Sequence, residues 1–178
     1  HWHRLGFSVL GVDYRGFGRS TALLPSESSA LEDARAAWTW LSTHHASAPR
    51  FVYGHSLGGA VAIQLAATTN ELSGLIVEGT FTSVPDVYGT LPWGWLPLAP
   101  LITQRFDSAQ HVRRVRAPLL VVHGSDDRAI RPSLGRALFE KATSPKRFVV
   151  VPGATHHDAH LLGEPMYRPA MRALFALP

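Results

Sequence analysis

Three apolar runs constrain this chain more than any other feature: Leu75-Ile76-Val77, Leu119-Leu120-Val121-Val122 and Phe148-Val149-Val150-Val151. Each run is continuous, not alternating, so each reads as a strand buried on both faces. Helical patterns separate most of them. Leu31, Ala34, Trp38 and Leu41 fall on one helical face at spacings of three and four. Ser29 with Glu32 three residues on reads as a capping box that opens this helix, which should run to about residue 44. Further helices are expected over 57–68, 132–141 and 164–177, with Pro169 bending or breaking the last. Including residues 7–13 and 50–53, five strands are expected. This is the pattern of a mostly parallel sheet with helices on both faces, in the α/β class.

The other bounds are exclusions. A length of 178 residues suits one domain, and 46% hydrophobic with 17% charged residues excludes a disordered chain. Lys and Arg number 17 against 13 Asp and Glu, a net +4 without a basic tail, so no nucleic-acid partner is expected. The absence of cysteine rules out disulfides, cysteine nucleophiles and thiolate metal sites, and leaves the compartment unmarked. No apolar run nears the roughly 20 residues of a membrane-spanning helix, and no leader pattern opens the chain. A cytoplasmic setting is the expectation.

Parallel sheets place their chemistry in loops beyond the strand C-termini. Three polar residues lie there. Gly54-His55-Ser56-Leu57-Gly58 matches G-x-S-x-G, with a strand before it and a helix after it, as a nucleophile elbow requires. The sharp turn exposes the serine oxygen, and the Leu57 N–H at the helix start can face a developing oxyanion. Asp127 follows the fourth strand and His156 the fifth, in the order nucleophile, acid, base. Asp126 competes with Asp127, and His157 with His156; Asp127 and His156 are preferred. The dense group His156, His157, Asp158 and His160 also has ligand chemistry. It lacks the His-Glu-x-x-His helix of zinc proteases, and no metal or cofactor is expected. Arg15 and Arg19 flank a glycine loop and can hold a carboxylate or face solvent.

With these residues in hand, the sequence resembles the α/β-hydrolase superfamily of serine esterases, lipases and thioesterases. The resemblance rests on Asp13-Tyr14-Arg15-Gly16-Phe17-Gly18-Arg19-Ser20, Gly54 to Gly59, His123-Gly124-Ser125-Asp126-Asp127 and Pro152-Gly153-Ala154-Thr155-His156-His157-Asp158. Glu78-Gly79-Thr80-Phe81-Thr82-Ser83 further resembles the subgroup of Bem46 and α/β-hydrolase domain protein 13. The resemblance implies that the second aspartate is the acid and the first histidine the base. It also implies strands ahead of residue 7 and a His-Gly loop carrying the second oxyanion donor, neither of which this chain contains. On that reading the chain is one partial, N-terminally truncated domain, with the missing segment a candidate separate chain. One absent strand would lie between residues 7–13 and 50–53. Its neighbours would have to close a gap of roughly 5 Å or leave backbone groups unpaired.

The chemistry expected is acyl transfer to water, on carboxylic esters with short to medium acyl chains. Thioesterase, amidase or peptidase activity shares the same triad. A non-catalytic binding module is the rival from another class. Tyr14, Thr80, Phe81, Trp93 and Trp95 are the expected substrate-binding residues. The proline-rich stretch 79–117 is expected to form short helical pieces serving as a small lid or a cover over the sheet edge. Its apolar part, with Arg113, Arg114 and Arg116, is a candidate for weak contact with a membrane surface.

Overall fold

The structure is a computed structural model and describes residues 1–177. The chain forms two compact units, His1–Ala48 and Pro49–Pro178.

The first unit opens with a 3-10 turn, Trp2–Leu5, closed by Gly6 at φ 95°. Residues 7–13 are irregular backbone and not the strand expected. A strand exists through its ladder of hydrogen bonds, and this segment belongs to none: the one sheet begins later in the chain. Helix α1 spans Glu27–His44 and is capped by Ser26, three residues ahead of the expected Ser29. The box closes between two serines. Ser26 Oγ accepts from Ser29 N–H at 3.1 Å, and Ser29 Oγ accepts from Ser26 N–H at 2.9 Å. Glu32 instead pairs with Arg15 at 2.6 Å, and Arg15 also reaches Asp33 at 2.6 Å. Arg15 thereby ties its glycine loop to α1.

The second unit holds the sheet. Its strands are β1 (Phe51–His55), β2 (Gly74–Glu78), β3 (Leu119–Gly124) and β4 (Lys146–Val151). All pair in parallel, in the order β1-β2-β3-β4. β2 and β3 are buried at every position, which explains why their sequences lack alternation. Helix α2 (Leu57–Ala66) crosses from β1 to β2. Short helices α3 (Val84–Gly89) and α4 (Ser108–His111), with 3-10 turns, lie between β2 and β3. Helix α5 (Pro132–Lys141) joins β3 to β4; α6 (Ala159–Leu162) and α7 (Glu164–Phe175) follow β4.

The register shows that both faces are covered. His123 and Phe148 point to one face, where Gly135 and Phe139 of α5 meet them. Gly124 pairs with Val151 on the other face, and Val151 packs on Gly163 at the start of α7. α7 continues through Pro169 without a break. Pro169 removes the N–H that would bond the carbonyl of Pro165, a local cost within a helix that otherwise continues.

Candidate active site

The end of β1 turns sharply into α2. Ser56 follows β1 directly and caps α2 at φ 55°, ψ −123°, a conformation unusual for a residue with a side chain. Three bonds hold it there. Its N–H donates to Glu78 O at 2.9 Å, its carbonyl accepts from Gly59 N–H at 3.0 Å, and Thr80 Oγ1 donates to the same carbonyl at 2.9 Å. The glycines around it are not equivalent. A Cβ on Gly54 would lie 2.3 Å from Gly58 O, and one on Gly59 would lie 2.7 Å from the Thr80 side chain. A Cβ on Gly58 would meet nothing within 4 Å. The second motif glycine is therefore open, and the steric requirement passes to its neighbour Gly59.

Three strand ends bring the polar candidates together. His156 Nε2 lies 3.0 Å from Ser56 Oγ, and His156 Nδ1 lies 2.8 Å from Asp127 Oδ2. Asp127 is fully buried in its side chain, whereas His156 keeps 11% exposure. The other carboxylate oxygen of Asp127 accepts from the N–H groups of Ala129 at 3.0 Å and Ile130 at 2.8 Å. Asp126 instead accepts from Ser125 Oγ at 2.7 Å at the surface. His157 is exposed and stands edge-on to the His156 ring. Leu57 is the first residue of α2, so its N–H has no acceptor within the helix and is free to serve an oxyanion.

Residues with no role assigned from the sequence complete the site. His55 Nε2 donates to the carbonyl of His156 at 2.7 Å, fixing the loop that carries the base. Gly79 has φ 54°, and a Cβ there would sit 3.2 Å from His156 Nδ1 and 3.4 Å from Asp127 Oδ2. His123 is fully buried, donates from Nε2 to Ile130 O at 2.9 Å, and stands 3.3 Å from Asp127 Oδ2. Burial lowers its pKa, so the ring is neutral and steadies the aspartate loop as a donor. The only sequence signal for His123 and Glu78 is a titratable residue ending an otherwise apolar run.

The expected substrate residues divide. Thr80 and Phe81 are buried, at 0% and 3% exposure, and Thr80 supports the elbow through its hydroxyl. Trp93 and Trp95 are open to solvent, at 55% and 80%. Tyr14 belongs to the other compact unit, where burial and then the charge of Asp33 raise the pKa of its phenol. Among the described residues no three His, Asp or Glu side chains gather as a metal site. No described helix is long and apolar enough to cross a membrane.

A serine on a strained elbow, a histidine and a buried aspartate in hydrogen-bonded sequence form the arrangement of a serine hydrolase. The sequence profile of the family described as serine aminopeptidase, S33, matches residues 1–111 and 101–165. The chain belongs to this family. Its parallel sheet, flanking helices and strand-to-helix elbow are those of the α/β-hydrolase fold. An uncharacterized protein of Mycobacterium tuberculosis is 41% identical to it over 162 residues, 90% of this chain and 57% of that protein. Protein bem46 of Schizosaccharomyces pombe is 35% identical over 163 residues, 88% of this chain and 54% of the relative. The chain spans about half the length of the curated relatives it matches. Among solved structures, the esterase domain of a Rhodothermus marinus protein is similar at 29% identity and a TM-score of 0.60. That match covers 80% of this chain and 68% of that one.

Proposed function

We propose that this chain carries the catalytic centre of a serine hydrolase that cleaves carboxylic esters. Ser56 Oγ attacks the ester carbonyl as His156 Nε2 takes its proton. Asp127 holds the Nδ1–H tautomer and stabilises the imidazolium. The oxyanion gathers on the Leu57 N–H, a donor of a kind worth about 100- to 1000-fold in rate. His156 then protonates the departing alcohol, and the acyl group remains on Ser56. In the second half His156 takes a proton from water as its oxygen attacks the acyl carbonyl; the bond to Ser56 Oγ then breaks, His156 returns the proton to Ser56, and the acid leaves. No cofactor enters these steps.

The observation that carries this reading is the continuous contact from Ser56 Oγ to His156 to Asp127 at 3.0 and 2.8 Å. Likeness to an esterase domain supports an ester as substrate. Thioesters and amides present the same carbonyl, so the panel that tests the reading includes them.

The test is intact mass after treatment with a fluorophosphonate, with Ser56→Ala beside the wild type. One stoichiometric adduct is expected on the wild type and none on the variant. Hydrolysis of p-nitrophenyl butyrate should fall on the order of 10⁴-fold or more in the variant. An adduct of equal size on Ser56→Ala would overturn the assignment.

A further inference from the structure

Several buried ionisable groups take no part in the mechanism, and one of them borders the elbow. Glu78 ends β2 at 2% exposure, in a strand whose other members are glycine and aliphatic residues. Burying a carboxylate is costly unless donors meet it. Here three do. Tyr53 Oη donates to Oε2 at 2.7 Å, and His160 donates to Oε1 from its backbone N–H at 2.8 Å and lies within reach through Nδ1 at 3.3 Å. Tyr167 Oη closes the group from α7, donating to His160 O at 2.7 Å. Burial, with Glu78 nearby, raises the pKa of both phenols, so they act as donors.

The two ends of this residue hold different parts of the site. Its main-chain carbonyl accepts the Ser56 N–H at 2.9 Å, so it locates the nucleophile. Its side chain locates His160 on α6, four residues beyond His156. Tyr53, its other partner, lies on β1 three residues before Ser56. At the next residue, Gly79, a Cβ would lie 3.2 Å from His156 Nδ1 and 3.4 Å from Asp127 Oδ2, so only glycine leaves these two groups their room. An aliphatic residue at position 78 would keep the strand and the carbonyl bond. It would release α6, and with it the loop that sets the His156 ring against Ser56.

We infer that Glu78 is a positioning residue. Its carboxylate, held by Tyr53 and His160, registers the His156 loop against the nucleophile elbow across the end of β2. This rests on the serine-hydrolase reading of the site. Reacting groups displaced by about 1 Å lose on the order of 100-fold in rate. Loss of the carboxylate should therefore act on the chemical step and not on substrate capture.

The experiment compares the full chain with Glu78→Gln, Tyr53→Phe and Ser56→Ala. Turnover of p-nitrophenyl butyrate is expressed per fluorophosphonate-titrated site, which removes any unfolded fraction. The low-field proton resonance of His156 Nδ1–H reports its bond to Asp127. In Glu78→Gln one acceptor oxygen becomes a donor, so kcat should fall about 10- to 100-fold with KM within about twofold. The low-field resonance should shift or broaden. Tyr53→Phe keeps the carboxylate and removes one donor, and its kcat should fall about fivefold. It carries the test should Glu78→Gln fail to fold. Wild-type kcat per titrated site and an unmoved resonance in both variants would overturn the inference. If Ser56→Ala is silent while Glu78→Gln behaves as wild type, only the positioning role fails. If Ser56→Ala is labelled and active, the hydrolase reading fails with it.

Discussion

Gly79 shows how much of this site depends on the absence of a side chain. Its φ of 54° disfavours any residue with a Cβ, and that Cβ would press on His156 Nδ1 at 3.2 Å, beside the bond to Asp127. Gly79→Ala should therefore lower stability by about 1–2 kcal/mol. It should also slow fluorophosphonate labelling at temperatures where the variant is folded; labelling at the wild-type rate would refute the close approach. The elbow makes the same point. Gly54, Ser56 and Gly58 were readable as a pattern, because the turn needs small neighbours around a strained serine. The pattern did not reveal that Gly58 faces open space while Gly59 meets Thr80. Such distinctions arise from contacts 20 or more positions away in the chain, which no local spacing records.

At the level of elements, the loop joining β3 to α5 is the most heavily braced part of the site. Asp127 receives two backbone N–H groups at one oxygen and His156 at the other, while His123 bonds Ile130 O from below. His123 has its pKa lowered by burial, so the unfolded chain binds its proton more tightly than the folded one. Stability from this residue is thus present above the unfolded value near 6.5 and is lost as pH falls toward the folded value. Urea denaturation of the wild type should show stability falling from pH 7 to pH 5, with a contribution of up to about 1.4 kcal/mol per pH unit from this group. His123→Gln should lose that part of the slope, and an unchanged slope would exclude a neutral buried His123. Elements in this unit were largely legible: helix 132–141 matches α5, and the strand runs match β2, β3 and β4 within a residue or two. Two misreadings lie in the first unit, the strand expected over residues 7–13 and the cap of α1. Ser29 was favoured as the cap because Glu32 follows it at box spacing. Ser26 won because Ser29 can answer it from inside the helix, and Arg15 occupies Glu32.

For the molecule as a whole, the sheet is a platform and the chemistry sits along one of its edges. Ser56, Gly79, Asp127 and His156 each follow the C-terminal end of a different strand, in spatial order. Strands β2 and β3 occupy the middle of that platform, and Leu120 is fully buried between the two covered faces. Leu120→Ala should destabilise the fold by about 2–5 kcal/mol. Because it is the second residue of β3, at the strand end opposite the one that leads to Asp127, labelling of Ser56 per folded molecule at low temperature should stay near the wild-type rate. A large drop would show that core packing and site geometry are not separable here.

The sequence by itself determined the class of fold and singled out Ser56, Asp127 and His156 as the candidate site. Short apolar runs rich in β-branched residues and bounded by turn residues fit strands covered on both sides, and a serine between glycines at a strand-to-helix junction fits a nucleophile elbow. Residues 7–13 mark where that reasoning stops. Their composition suits a strand, yet strand formation is a property of pairs, and no ladder partner is in place for them. The sequence preferred Asp127 and His156 to their neighbours, and the tertiary structure supplies the physical reason: Asp127 is buried against His156 and His156 meets Ser56, while Asp126 and His157 face solvent. The tertiary structure also revealed Glu78, His123 and Gly79 as neighbours of the triad. These residues come from separate strands, and their proximity is created by sheet register, which sets distances that linear order leaves open.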